Sequence, residues 1–337
     1  MMTSTEIIKK LFMAFSKRDE DEFYRLAEEL IELEKRKKHN IVAKELKEAL
    51  YTRGRIDNHH KRYRPTTPIP RDNDSGFPLL EIKEYHFSWD QLILSEKNKY
   101  VLELIVNEVK SSEILATYNL SPIRKVLFCG EPGTGKTFTA QVLSSVLQLP
   151  MVYVRFDAII SSYLGETATN LRKVFDFIKN GMWVVLFDEV DIIGKNRDDH
   201  HESGEIKRVV NNFLQMLDNF EGDSLLLAAT NHPHILDPAI WRRFDEVINF
   251  ELPNADERYR LLNLFLKPIK KEAEIDLALL SEKTEGFTPS DLKTMCKEAM
   301  KHAIVSGRDV LSALDLDFAY SRFINRFVVR KDKGLKL

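Results

Sequence analysis

The sequence predicts an α/β protein: a three-layer unit with a parallel five-stranded sheet, a helical C-terminal part, and a small all-helical segment in front. Three observations predict it. From about Lys125 to Phe250 short apolar runs alternate with stretches of helical periodicity, as strands joined by crossover helices do. Beyond Leu252 the strand-like runs stop and helical spacing continues. Before Thr52 apolar residues recur only at helical intervals.

At the N-terminus Ile7, Ile8, Leu11 and Phe12 suggest one face of a helix, and the nearby Glu6, Lys9 and Lys10 argue against a signal peptide. Phe23, Leu26, Ala27, Leu30 and Ile31 form a helical stripe, which Ile41, Val42, Leu46, Ala49 and Leu50 continue past a charged bend at 34–40. Residues 1–52 are thus expected to be a helical domain. Gly54, Pro65, Pro68 and Pro70 mark residues 53–75 as a linker. Residues 76–252 hold the predicted strands Lys125–Cys129, Met151–Phe156, Trp183–Phe187, Leu225–Thr230 and Val247–Phe250. Between them, Ala168, Leu171, Val174, Phe175 and Ile178 share a helical face, as do Ile206, Val209, Val210, Phe213 and Leu217. Residues 253–337 are helical, with a clear helix start at Thr288-Pro289, an N-cap followed by proline.

Bulk properties narrow the function classes. A formal net charge of −2 gives no electrostatic pull toward nucleic acid or an anionic membrane surface. No apolar run approaches the roughly 20 residues of a spanning helix. Cys129 and Cys296 are the only cysteines and lack metal-ligand spacing, so a reduced, cytoplasmic setting is expected.

The chemistry begins at Gly130-Glu131-Pro132-Gly133-Thr134-Gly135-Lys136-Thr137. This is G-x-x-x-x-G-K-[ST] between a strand and a helix, the setting in which backbone N–H groups and a helix N-terminus cradle phosphates. With Phe138 it makes up the expected nucleotide-binding set, for ATP. Lys136 is expected to reach the β- and γ-phosphates and Thr137 to ligate Mg²⁺. The strand Trp183–Phe187 runs into Asp188-Glu189, at the carboxyl end where α/β sheets hold their active sites. Asp188 is placed for the metal and Glu189 for orienting and deprotonating the attacking water. Leu225–Thr230 leads to Asn231, which can hydrogen-bond the γ-phosphate or the water, or simply start a turn. Arg242-Arg243 suits charge-assisted phosphoryl binding, or a surface salt bridge.

Together these residues resemble the AAA branch of the AAA+ ATPases, over about Phe87 to Ser306, with the motifs in that family's order. The resemblance implies a hexameric ring, with Asn231 as first sensor and Arg242 and Arg243 as arginine fingers reaching the neighbouring subunit's ATP. It also makes Tyr163-Leu164-Gly165 a pore loop that grips extended polypeptide. Three features depart from the family: the two arginines are adjacent, Glu131 replaces a usual proline, and Gly286–Leu292 offers no charged second sensor. The N-terminal pattern, with Asp74–Leu80, further resembles bacterial stand-alone AAA ATPases encoded beside a subtilisin-like serine protease. That likeness implies a protease partner and an antiviral defence or toxin–antitoxin-like role. A nucleotide-gated switch holding a partner inactive, and a nucleic-acid motor, are the competing readings. The loop Lys195–Glu202 reads as solvated rather than metal-binding, and His59–Arg64 as solvated linker rather than a nucleic-acid contact.

Overall fold

The computed structural model describes residues 4–16, 20–37, 39, 42–43, 46, 68–156, 159, 164–193, 203–235 and 238–332. The chain divides into two compact units, 1–66 and 67–337. In the first, α1 (Ser4–Ser16) packs on α2 (Glu20–Arg36). Ile7 and Ala14 meet Leu26 and Leu30 in a small core, with Leu11 and Phe23 at its margin. Ile8 and Phe12 are instead exposed, Phe12 by 72%. The face predicted for α1 therefore splits: at about 100° per residue, positions 7, 11 and 14 make one stripe and 8 and 12 the next. Ile41, Ala49 and Leu50 of the second predicted stripe lie outside the described residues, as do His59–Arg64.

The second unit is built on a six-stranded sheet. Its strands are β1 (Leu80–Lys83), β2 (Lys125–Gly130), β3 (Met151–Val154), β4 (Val184–Phe187), β5 (Leu225–Thr230) and β6 (Glu246–Phe250). They lie in the order β1-β3-β4-β5-β2-β6. The five expected strands are all parallel. The sixth, β1, adds to the edge antiparallel to β3, with Leu80 opposite Val154. The interior strands β4 and β5 are buried along their whole length, which is why they read as unbroken apolar runs rather than as alternation.

Helices α3 (Glu96–Lys110), α4 (Ser112–Thr117), α5 (Lys136–Leu147), α6 (Leu164–Lys179), α7 (Ser203–Asp218) and the short α8 (Pro238–Trp241) complete this layer. Leu102, Ile105 and Val106 of α3 join Val142, Leu143 and Leu147 of α5 in one core with the sheet. Elsewhere Phe156, Phe175 and Phe213 pack their rings against Phe187 of β4 at 5.3–5.9 Å. Each fully buried side chain of this size contributes about 1.5–3 kcal/mol.

The stretch read as linker ends in structure. Arg71 pairs across to Pro78, and buried Asp72 accepts hydrogen bonds from the Ser75 backbone N–H at 2.8 Å and its hydroxyl at 2.7 Å. Residues 68–75 are thus the first arm and turn of a hairpin. An Asp bonding backbone three residues on, ahead of Gly76 at φ +68°, is turn chemistry that proline content masked.

The C-terminal part comprises α9 (Ala255–Phe265), α10 (Leu277–Lys283), α11 (Pro289–Val305) and α12 (Ala313–Asp332), around Leu262, Leu292, Met295, Cys296 and Ala319. The helix start read at Thr288 is a full capping box, reciprocated by Asp291. One difference is a two-residue parallel pair, β7 (Lys270–Lys271) with β8 (Val310–Leu311), too short to leave a periodicity. Asp315, fully buried, organises the turn between α11 and α12. It receives both Arg308 guanidinium nitrogens at 2.8 and 2.6 Å, the Ser312 N–H and hydroxyl, and His302 Nδ1.

Burial opposes ionisation of Asp315, but the bonds from Arg308, Ser312 and His302 outweigh it and hold the carboxyl below the usual range. A depressed folded-state pKa contributes stability that is complete above the ordinary carboxylate value of 3.8 and is lost as pH falls through the folded value. Asp315→Ala should cost about 2–4 kcal/mol at neutral pH, at the lower end because Arg308 can regain water. Urea unfolding at pH 7 and at pH 3 checks it: the variant's deficit should shrink on acidification, and a deficit under about 0.5 kcal/mol at pH 7 would contradict the assignment.

Candidate nucleotide site

Three glycines, one ending β2 and two in the loop after it, adopt positive φ: Gly130 at +148°, Gly133 at +84° and Gly135 at +107°. At Gly130 a Cβ would sit 2.3 Å from the Phe250 carbonyl oxygen, so β6 leaves room for glycine alone. At Gly135 a Cβ would meet nothing within 4 Å. The loop is therefore tight against β6 at Gly130 and open at Gly135, while Gly133 packs against Thr288 and Ser290 and accepts the Ser290 N–H at 3.2 Å. Glu131 and Pro132 are exposed. The Glu131 carbonyl accepts the Thr134 hydroxyl at 2.8 Å and Lys136 Nζ at 2.9 Å, and Nζ also donates to Gly130 O at 2.8 Å. The Lys136 ammonium thus sits inside the loop, only 6% of the residue exposed. Burial lowers its pKa, partly offset by the negative charge of Asp188.

The sheet brings the next elements to the same edge. Register pairs Cys129 with Thr230 and Phe187 with Ala228, so Asn231 follows β5 beside Gly130, and Asp188 caps β4. Thr137, in the first turn of α5, donates its hydroxyl to Asp188 Oδ2 at 2.9 Å. The Asp188 Oδ1 accepts the backbone N–H of Glu189 at 3.0 Å. Glu189 itself is exposed and left-handed at φ +54°, a conformation costing a non-glycine residue about 1–3 kcal/mol. The helix N-terminus, the inward lysine and a loop that only glycines can form fit a polyphosphate. A hydroxyl and a carboxylate within hydrogen-bond distance are hard oxygen donors suited to Mg²⁺, which keeps most of its waters and takes one or two protein ligands.

Other predicted residues are elsewhere. Phe138 turns its ring to Phe87, with centroids 5.1 Å apart. Arg242 is exposed and Arg243 half-buried, in the turn before β6. That turn lies at the opposite edge of the sheet, because Asp245 Oδ2 accepts the backbone N–H groups of Arg124 and Lys125 at the start of β2. The six residues of β2 separate the two edges by about 17 Å, so neither arginine reaches its own chain's phosphate loop. Arg243 Nε is bonded to Asp218 Oδ2 at 2.8 Å. Tyr163 lies outside the described residues, as do Lys195–Glu202, while Leu164 and Gly165 open α6. Sequence reasoning passed over Asp191, which is 2% exposed and accepts the Thr230 hydroxyl at 3.4 Å behind the phosphate edge. Its signal was its place one turn after Asp188.

A parallel α/β sheet with this loop and this carboxylate at its carboxyl edge defines a P-loop nucleotide-binding protein. Comparisons carry the identification further. The family model described as the ATPase family associated with various cellular activities (AAA) matches residues 126–252, and an AAA+ lid domain matches 274–318. An uncharacterized AAA family ATPase of Sinorhizobium fredii is 36% identical over 319 residues, 94% of each chain. A proteasome-activating nucleotidase of Saccharolobus solfataricus is 36% identical over 274 residues, covering 79% of this chain and 69% of that protein. A putative 26S proteasome regulatory subunit homolog of Methanocaldococcus jannaschii is 32% identical over 72% of this chain and 66% of its own. The chain belongs to the AAA family of ATPases. Among the described residues no helix is long and apolar enough to cross a membrane.

Gly130→Ala should lower stability by about 2–5 kcal/mol, combining backbone strain with overpacking against Phe250. A thermal midpoint equal to wild type would contradict the close approach.

Proposed function

We propose that this ATPase works as a ring, built of six copies, that remodels or threads a protein substrate. The observation that carries the proposal is the placement of Arg242-Arg243 at the edge of the sheet remote from the phosphate loop. Arginines so placed serve catalysis only across a subunit boundary. Asp218 anchors Arg243 and leaves Arg242 exposed, so the pair can present one held and one free guanidinium to a neighbour. The relatives named for proteasome activation and proteasome regulation support a protein substrate, and the broad aromatic surface of Tyr163 suits sequence-tolerant contact with polypeptide.

In this reading Gly130–Thr137 bind ATP, with Lys136 on the terminal phosphates, and Phe138 turns its ring to Phe87 instead. Mg²⁺ held by Thr137 and Asp188 would neutralise charge on the β- and γ-phosphates. Glu189 orients the attacking water and takes its proton, and its exposure on a strained turn leaves it free to face that water. Asn231 hydrogen-bonds the γ-phosphate or the water. The N-terminal helices recruit a partner: Ile8 and Phe12 offer an apolar surface, and the proline-rich stretch suits a tether. The resemblance makes a subtilisin-like serine protease that partner, in an antiviral defence or toxin–antitoxin-like module inside the cytoplasm.

The experiment compares ATP turnover by the purified chain alone, with a reduced and carboxymethylated unfolded protein, and with single-stranded DNA. Unfolded protein should stimulate turnover several-fold and DNA should not, and Tyr163→Ala should remove the stimulation while keeping basal turnover. Glu189→Gln should bind ATP and turn over at least about 10²-fold more slowly. Stimulation by DNA alone would transfer the chain to the nucleic-acid motors, and a Glu189→Gln chain with full cellular function would make it a nucleotide-gated switch.

A further inference from the structure

The hairpin of residues 70–80 touches both roots of the segment that carries Tyr163. On the strand side, Arg155 donates its backbone N–H to Leu79 O at 3.0 Å, continuing the pairing of β1 with β3. On the helix side, Asn170 Nδ2 donates to Asp72 Oδ2 at 2.7 Å, and Lys173 Nζ donates to Arg71 O at 3.0 Å and to Asn73 Oδ1 at 2.8 Å. Asp72 and Asn170 are both buried, 3% and 0% exposed. Hydrogen bonds from Ser75, then from Asn170, bring the Asp72 carboxyl down to about 2. A buried carboxylate satisfied on both oxygens is a rigid, all-or-none contact.

Asp72, Asn170 and Lys173 have no part in the nucleotide reading, although Arg155 follows β3 at the same edge of the sheet as Asp188. Their common effect is to fix the spacing between the end of β3 and the second turn of α6.

We propose that this hairpin is a brace that holds the β3 and α6 roots of the segment carrying Tyr163 at fixed spacing. Asp72 and Asn170 are its positioning residues, and they serve work on substrate rather than nucleotide binding. The role rests on the reading of Tyr163 as the substrate-gripping residue. The geometry of the brace stands independently of it. Carboxylate and amide are matched here as acceptor and donor, so an exchange of the two side chains preserves the bond, whereas Asn170→Asp alone leaves two acceptors and no donor.

The test uses the full-length chain. Asn170→Asp sets two carboxylates against each other. Asn170→Asp with Asp72→Asn restores one donor and one acceptor in the opposite sense. Lys173→Met removes the half-buried strut and covers the case in which Asn170→Asp fails to fold. Amide hydrogen exchange in residues 151–155 and 164–173 should rise about tenfold in Asn170→Asp and return in the reciprocal variant, with a smaller rise in Lys173→Met. Basal ATP turnover should stay within about twofold of wild type, while stimulation by the carboxymethylated unfolded protein is lost and then regained in the reciprocal variant. Unchanged exchange in Asn170→Asp and Lys173→Met, or no recovery in the reciprocal variant, overturns the brace. Basal and stimulated turnover falling in step overturns its role in substrate work. A wild-type chain that unfolded protein does not stimulate refutes the gripping role of Tyr163, and the exchange measurements then decide the brace alone.

Discussion

The parallel register of β2, β4 and β5 is the constraint on which the functional architecture depends. Parallel strands deliver all their carboxyl ends to one edge, so Gly130, Asp188 and Asn231 arrive together though they are far apart in the chain. The same register sends the residues that precede strands to the other edge. Arg242 and Arg243 precede β6, and Asp245 ties their turn to the start of β2. One chain therefore carries its phosphate loop at one edge and an arginine pair at the other, about a strand's length away.

Local rules are broken where that phosphate edge forms. Lys136 is buried against the pull of solvation, Glu189 is left-handed without being glycine, and Gly130 is pressed against Phe250. The first two are unfavourable alone and are held by the surrounding sheet, while the close approach of Gly130 to Phe250 is one that only glycine tolerates. Concentrated strain of this kind is usual where backbone and charge are arranged for a ligand rather than for stability. Thr137 and Asp188 are the link between the helix-borne and strand-borne halves of the edge, since their hydrogen bond joins α5 to β4.

Much of this was legible in the sequence because it is local or fully buried. The strands at the centre of the sheet are continuous apolar runs, the phosphate loop is a contiguous motif, and the Thr288 capping box spans four residues. What was not legible depends on pairs distant in sequence or on half-exposed elements. Asp72 meets Asn170 across 98 positions, inside a stretch whose prolines argue for a linker. Strand β1 is four residues long on a sheet edge, where burial, and so hydrophobic pattern, is partial. The split of Ile7 from Ile8 on α1 is a matter of 100° that single residues cannot resolve. The Arg243–Asp218 bond was open between a phosphoryl contact and a surface ion pair. Within one chain it is the ion pair, and only a second chain can add the other.

The central claim, that a working site needs parts of two copies, is tested most directly by mixing subunits. An Arg242→Ala/Arg243→Ala chain keeps its phosphate edge and lacks the pair, and a Lys136→Ala chain keeps the pair and lacks phosphate binding. Each alone should be inactive, by about 10³-fold or more for the arginine variant. ATP turnover of the 1:1 mixture, measured after co-assembly, should recover to a readily measured fraction of wild type. Full turnover by the arginine variant alone, or a co-assembled mixture as inactive as its parts, would contradict the claim.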